Sequence, residues 1–218
     1  MTQKETSLVL RTCCKDLTSR NGFQWAGVGE TTTAPDWNNN SKCGGGLHGW
    51  LYGAGDHSCS NYMDADSAWM VLEVVTEDIV MLDGKCKFPS AKTVFVGGRK
   101  EAAEYLLANE PRSANVGIIG RIAEVVDNGV LTGGNYATLT GGNYATLTGG
   151  DGATLTGGYG ATLTGGDGAE LRIRYLDSKA GRYRTAIAYV GEDGIEAGVA
   201  YRLNKHHKFI KASAGEQA

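Results

Sequence analysis

LTGGNYATLTGGNYATLTGGDGATLTGGYGATLTGGDGAE, residues 131–170, is five copies of one octad laid end to end. Within each octad Ala-Thr-Leu-Thr alternates small or apolar residues with hydroxyl residues, and a β-strand sends such alternating residues to opposite faces. Ala137, Leu139, Ala145, Leu147, Ala153, Leu155, Ala161 and Leu163 are therefore expected to point inward. Thr138, Thr140, Thr146, Thr148, Thr154, Thr156, Thr162 and Thr164 are expected to point outward. The Gly-Gly pairs supply turns, where a positive φ costs glycine little. One octad is too short to close a coil around a core, so two octads per sixteen-residue coil is the natural closure. At ~4.8 Å between stacked strands, the octads make about two and a half coils and a uniform stretch of roughly 12 Å. A solenoid this short needs caps, because open coil ends leave backbone groups unpaired and invite aggregation.

The flanks have a different composition. Residues 1–112 are mixed and read as an α+β domain. Strands are expected at 8–13, 69–75, 79–82 and 93–96, and glycine-rich turns bracket 47–52. The clearest helix is 99–109, with Ala102, Ala103, Leu106 and Leu107 on one face and Pro111 just past its end. Residues 113–170 form the Gly/Thr-rich β-solenoid, with a divergent first coil within 114–130. Residues 171–218 read as a C-terminal β cap of two hairpins, 171–175 with 183–190 and 199–204 with 208–211.

Composition excludes several classes. Of 218 residues, 33 are glycine but only 3 are proline, which rules out collagen. The formal charge of −3 gives no footprint for nucleic acid. The five cysteines, Cys13, Cys14, Cys43, Cys59 and Cys86, include no C-x-x-C pair and read as buried reduced thiols. Calcium β-rolls repeat a nonapeptide with a recurring aspartate. Here the period is eight and aspartate recurs only at Asp151 and Asp167, so no metal is expected. Those two aspartates would stack on successive coils, which argues for solvent exposure there. The GGGLHG stretch at 44–49 lacks the GK[ST] ending of a phosphate loop. His48, His57, His206 and His207 have no metal-ligand spacing, and no nucleophile motif frames any serine. Neither a cofactor nor an enzyme is expected. Residues 1–10 lack the apolar core of a secretory leader, and no stretch approaches the ~20 apolar residues of a membrane span.

The outward threonines carry the functional question. A flat Thr-x-Thr ladder offers hydroxyls ~4.8 Å apart along the stack and about 7 Å apart along the strand. These spacings lie near repeats of the ice lattice, and the few rotamers of threonine hold methyl and hydroxyl in fixed positions.

GGYGATLT, residues 157–164, resembles the Ala-Gly-Tyr-Gly-Ser-Thr-Leu-Thr octad of bacterial ice nucleation proteins. LVLRTC (8–13), GLHGWLYGAGD (46–56), DADSAWMVLEV (64–74) and CKFPSAKTVFVGGR (86–99) are similar, in order, to the N-terminal domain of that family. LRIRYLDSKAGRYRTAIAYVGEDGIEAGVAYRL (171–203) is similar to its C-terminal cap. The resemblance implies a β-solenoid that orders water at an ice surface, self-associates into a homo-oligomer and sits on the bacterial outer membrane surface. It also implies that the eight threonines are the ice-templating pairs and that Tyr159 is a stacked tyrosine. The family has dozens of coils, and its last coils carry Arg or Lys at a turn position held here by Tyr136, Tyr144, Gly152, Gly160 and Gly168. The sequence thus predicts an ice nucleation-like protein acting through self-association. The alternatives are a structural protein whose solenoid is a spacer between interaction domains, and an enzyme or small-ligand binder built on the N-terminal domain.

Overall fold

The computed structural model describes residues 4–212. The chain divides into two compact units, Met1–Ile118 and Ile119–Ala218.

The first unit is one antiparallel sheet with a single α-helix. Its strands are β1 (Thr6–Cys13), β2 (Thr31–Thr33), β3 (Leu47–Leu51), β4 (Ala68–Val75), β5 (Val80–Met81), β6 (Cys86–Phe88) and β7 (Ser90–Gly97), in the order β2-β7-β4-β1-β3-β6-β5. β1 and β4 are the central pair because both are apolar on each face. Val9, Met70 and Leu72 bury against Trp25 and Phe88, while α1 (Arg99–Asn109) packs on the sheet through Ala102, Ala103 and Leu106. The larger of these side chains, such as Val9, Met70, Leu72 and Leu106, each contribute about 1.5–3 kcal/mol by burial. The helix ends where Glu110 leaves helical geometry. Its buried carboxylate accepts hydrogen bonds from the Leu8 amide (3.1 Å) and Arg112 Nε (2.6 Å), fixing the helix end to β1. Lys87 is fully buried on β6, and its ammonium donates to Asn40 Oδ1, Lys42 O and Gly44 O. One lysine thus organises the glycine-rich loop before β3. All five cysteines are free, and burial pushes the Cys13 thiol up to about 11 and Cys86 to about 12.

The second unit is a solenoid of about three coils with a C-terminal cap. One sheet stacks β8 (Ile122–Val125), β10 (Thr138–Gly141), β12 (Thr154–Gly157) and β14 (Glu170–Asp177); the other stacks β9 (Val130–Thr132), β11 (Thr146–Thr148) and β13 (Thr162–Thr164). Stacked strands are parallel with a sixteen-residue register: Leu139 lies against Leu155, and Leu147 against Leu163. Two octads therefore make one coil. The inward alanines and leucines from Ala137 to Leu171 have no solvent exposure. The divergent segment before the octads supplies β8, and β9 straddles its junction with the first octad; their inward positions include Ala123 and Leu131.

The glycine pairs differ from expectation. They do not occupy the left-handed region. That region is taken by the sixth residue of each octad: Tyr136, Tyr144, Gly152, Gly160 and Gly168. The pairs are glycine because the chain passes too close to its neighbours. A Cβ on Gly149 would lie 2.6 Å from the Ala153 Cβ, and one on Gly150 would lie 2.7 Å from the backbone nitrogen of Asn135 on the preceding coil. The first glycine lets the corner fold onto its own coil, and the second lets adjacent coils approach.

At the C-terminal end both sheets change from parallel to antiparallel pairing. β15 (Arg182–Tyr189) pairs with β14 along its whole length, and β16 (Ala200–Leu203) pairs with β13 and with β17 (Phe209–Lys211). Ile173, Val190, Ile195 and Tyr201 extend the solenoid core into this cap. The Tyr201 hydroxyl accepts from Glu196 N and donates to Gly194 O. Tyr175 and His207 stack at 3.8 Å, joining the hairpin of one sheet to that of the other.

Candidate functional site

The outward positions of the solenoid carry the threonines. On the first sheet, Thr138 registers with Thr154 and Thr140 with Thr156. On the second, Thr146 registers with Thr162 and Thr148 with Thr164. Thr140 and Thr146 are exposed, and the other six are half-buried, shielded by their neighbours in the ladder. The structure thus brings the eight threonines onto two separate faces, each two threonines wide along the strand and two coils deep. Thr132 extends one row of the second face by one coil.

Both faces end abruptly. On the first, Ile122 and Glu124 precede the threonines, and Glu170 and Arg172 follow them. Glu170 and Arg172 form an ion pair at 2.6 Å. The hydrogen bond from Arg172 lowers the Glu170 pKa, and the same bond raises that of Arg172. Val130 occupies the equivalent place on the second face and is strongly exposed. A hydroxyl–methyl surface gives way to charge on one side and to bare hydrocarbon on the other.

Two side-chain ladders hold the coils in register. Asn143 N donates to Asp127 Oδ1 (2.7 Å), and Tyr159 N donates to Asn143 Oδ1 (3.0 Å). At the opposite corner, Asp151 N donates to Asn135 Oδ1 (3.0 Å), and Asp167 N donates to Asp151 Oδ1 (2.9 Å). Every link spans sixteen residues, one full coil. Next to each link a backbone bond runs the other way, as in Tyr136 N to Asp151 O and Gly152 N to Asp167 O, both 2.8 Å. The ladders explain how Asp151 and Asp167 stack: the upper residue's amide, not its carboxylate, faces the lower carboxylate. Both aspartates are exposed, as their charge requires. These residues were legible in the repeat as an Asn or Asp at the fifth position of most octads, but without a partner to give them a role.

Tyr159 holds that fifth position in the fourth octad. It receives the ladder from Asn143, but its side chain has no carbonyl or carboxylate to pass it on. Its ring meets Tyr144 edge-on at 5.7 Å and 88°. The Tyr136 and Tyr144 rings lie over Gly152 and Gly160 of the following coil, where a Cβ would sit 3.1 Å and 2.6 Å from ring carbons. A left-handed tyrosine thus covers a left-handed glycine one coil on. All three tyrosines remain exposed. Among the described residues no group of three or more histidine, cysteine or acidic side chains is placed to hold a metal ion, and no helix is long and apolar enough to cross a membrane.

A family model described as Domain of unknown function (DUF7666) matches residues 7–108. The Ice nucleation protein of Pseudomonas syringae is 34% identical over 113 residues, 51% of this chain and 10% of the relative. That of Pseudomonas fluorescens is 37% identical over 109 residues, 49% of this chain and 9% of the relative. Ice nucleation protein InaU of Pantoea ananas is 28% identical over 109 residues, 48% of this chain and 10% of the relative. No solved structure matches the chain. The match spans only about a tenth of the length of these curated relatives. Seven relatives named as ice nucleation proteins thus match about half of a chain that carries a β-solenoid, and over that half the chain is similar to them.

Proposed function

We propose that the protein orders water into an ice-like layer on its Thr-x-Thr faces, and that it does so as a self-associated assembly. The observation that carries this reading is the register Thr138–Thr154 and Thr140–Thr156, repeated at Thr146–Thr162 and Thr148–Thr164. Stacked at ~4.8 Å along the coils and about 7 Å along each strand, these hydroxyls and methyls form a small lattice held by a dry core. A water layer can be ordered on such a lattice because the threonines have few rotamers to lose.

The size of the lattice sets the need for assembly. Each face is two coils deep, roughly 10 Å with its flanks, whereas a stable ice embryo extends over nanometres. Copies joined in register enlarge the lattice without lengthening any chain. The cap offers a route: β15 is the outermost strand of its sheet, and its exposed Tyr183, Ile187 and Tyr189 lie on one side beside Leu176 of β14. A long apolar edge strand is a template for pairing. Placement at the outer membrane surface follows from the family resemblance alone, and no covalent chemistry is part of the reading.

The abrupt ends of the Thr faces favour a second reading, in which the solenoid is a rigid spacer between interaction units. Droplet freezing of the purified chain, fractionated by oligomeric state using light scattering, separates the two. The first reading expects freezing above the buffer value in the larger fractions, lost when Thr138, Thr140, Thr154 and Thr156 are all replaced by tyrosine. Freezing that matches buffer in every fraction rejects it. Assembly that survives the replacements while no fraction nucleates supports the spacer.

A further inference from the structure

We propose that a cleft in the first unit binds a small oxyanion, a carboxylate or phosphate group, between the guanidinium of Arg11 and the ammonium of Lys85. The cleft exists because two neighbouring strands part. β1 pairs with β4 at every one of its residues but with β3 only at Val9–Leu51 and Leu10–Trp50. Beyond Leu10 the gap is lined by Arg11, His48, Trp50, Cys59, Ser60 and Lys85, around a narrow half-open space of about 10 Å³, room for one water-sized group.

The lining contains two permanent cations and no carboxylate. Among the described residues Arg11 is in no ion pair. Its Nη1 donates to His48 O at 3.2 Å, its guanidinium lies 5.2 Å from the Trp25 ring centre, and its enclosed Nε has no hydrogen-bond partner. An enclosed N–H without a partner costs about 1–3 kcal/mol and calls for an explanation. His48 reports the local field. Burial, and then the positive charges of Lys85, Arg11 and Lys87, push its pKa down to about 4, so at neutral pH it adds no charge. Lys87 cannot serve as a ligand, because its ammonium is committed to the loop oxygens. Lys85 acts on the Asp56 carboxylate, whose two oxygens already accept from the amide and hydroxyl of Ser58.

A planar guanidinium presents paired donors matched to carboxylate and phosphate oxygens, and a lysine beside it adds a point charge. The narrow, half-open shape has room for one oxygen of such a group and leaves the remainder at the mouth. Ligand chemistry is therefore limited at the group, not at what carries it. The site is unrelated to the threonine faces, and its test is independent of freezing.

The test is calorimetric titration of the whole chain with inorganic phosphate, glycerol phosphate and acetate, each against sodium chloride at equal ionic strength. Tryptophan fluorescence follows the same titrations, since Trp50 lines the cleft and Trp25 lies beside Arg11. The proposal expects saturable one-site binding of at least one anion. Lys85→Met and Arg11→Met should weaken it by roughly tenfold or more, the effect of losing one charge-assisted hydrogen bond. Lys92→Ala, on the exposed side of β7, should leave it unchanged. Equal binding of the two phosphates identifies the group as sufficient, and preference for acetate assigns a carboxylate. Should Arg11→Met fail to fold, the half-buried Lys85 carries the comparison alone. No saturable binding by any of the three, or undiminished binding in a folded Lys85→Met protein, overturns the proposal.

Discussion

Replacing Asp151 tests whether the corner ladders bear stability. Its carboxylate has two opposed effects. It accepts a hydrogen bond from Asp167 N at 2.9 Å, and it places a negative charge one coil away from that of Asp167. A protein hydrogen bond contributes about 0.5–1.5 kcal/mol net, and exposure keeps this one near the middle of that range. Two unit charges ~5 Å apart in water repel by about 0.8 kcal/mol before salt screening. Asp151→Asn keeps the acceptor and removes the charge, so it should stabilise by about 0.5 kcal/mol at low salt. Asp151→Ala removes both and should fall about 1 kcal/mol below the asparagine variant. For a unit of this size that gap corresponds to roughly 4–8 °C in Tm. The assay is thermal unfolding by circular dichroism at low and at high salt. Salt should shrink the difference between wild type and Asp151→Asn while leaving the asparagine–alanine gap in place. Equal Tm values for the two variants would falsify the ladder as a stabilising device. A gap that vanished with salt would show that only charge was at work.

Other outcomes follow from positions described above. Gly150→Ala should cost more than 2 kcal/mol, because its Cβ would press on the Asn135 backbone, whereas Gly168→Ala, left-handed but open, should cost about 1 kcal/mol; chemical denaturation of both variants checks the order. Lys87→Met should release the loop at residues 38–46, read as faster amide exchange there by about tenfold, while β1 and β4 stay protected. Burial opposes ionisation of Glu110, but hydrogen bonds from Arg112 and the Leu8 amide outweigh it and hold its pKa below 4.5. The sign follows from linkage: a depressed carboxylate stabilises the fold above its unfolded pKa and loses that contribution as pH falls through the folded value. Melting of the first unit should therefore drop with acid below about pH 4.5, and Glu110→Gln should flatten that drop.

The sequence carried the parts of this fold that are local. Alternation within Ala-Thr-Leu-Thr set which side chains face in, and the eight-residue period set the sixteen-residue coil, because strand geometry and repeat length are properties of neighbouring residues. The 99–109 helix and both cap hairpins were legible for the same reason. Tertiary structure decided what depends on distant partners. It moved the left-handed position from the glycine pairs to the residue two places on, and it gave the pairs a different purpose, since close approach is set by the next coil. It turned the fifth-position Asn and Asp residues into ladders, because each acceptor meets an amide sixteen residues away. It also divided the eight threonines between two faces and cut both faces short with Glu124, Arg172 and Val130. Arg11 looked like one more polar residue in a strand. Only the parting of β1 from β3, a consequence of pairing between segments some forty residues apart, left its guanidinium in a cleft without an acid.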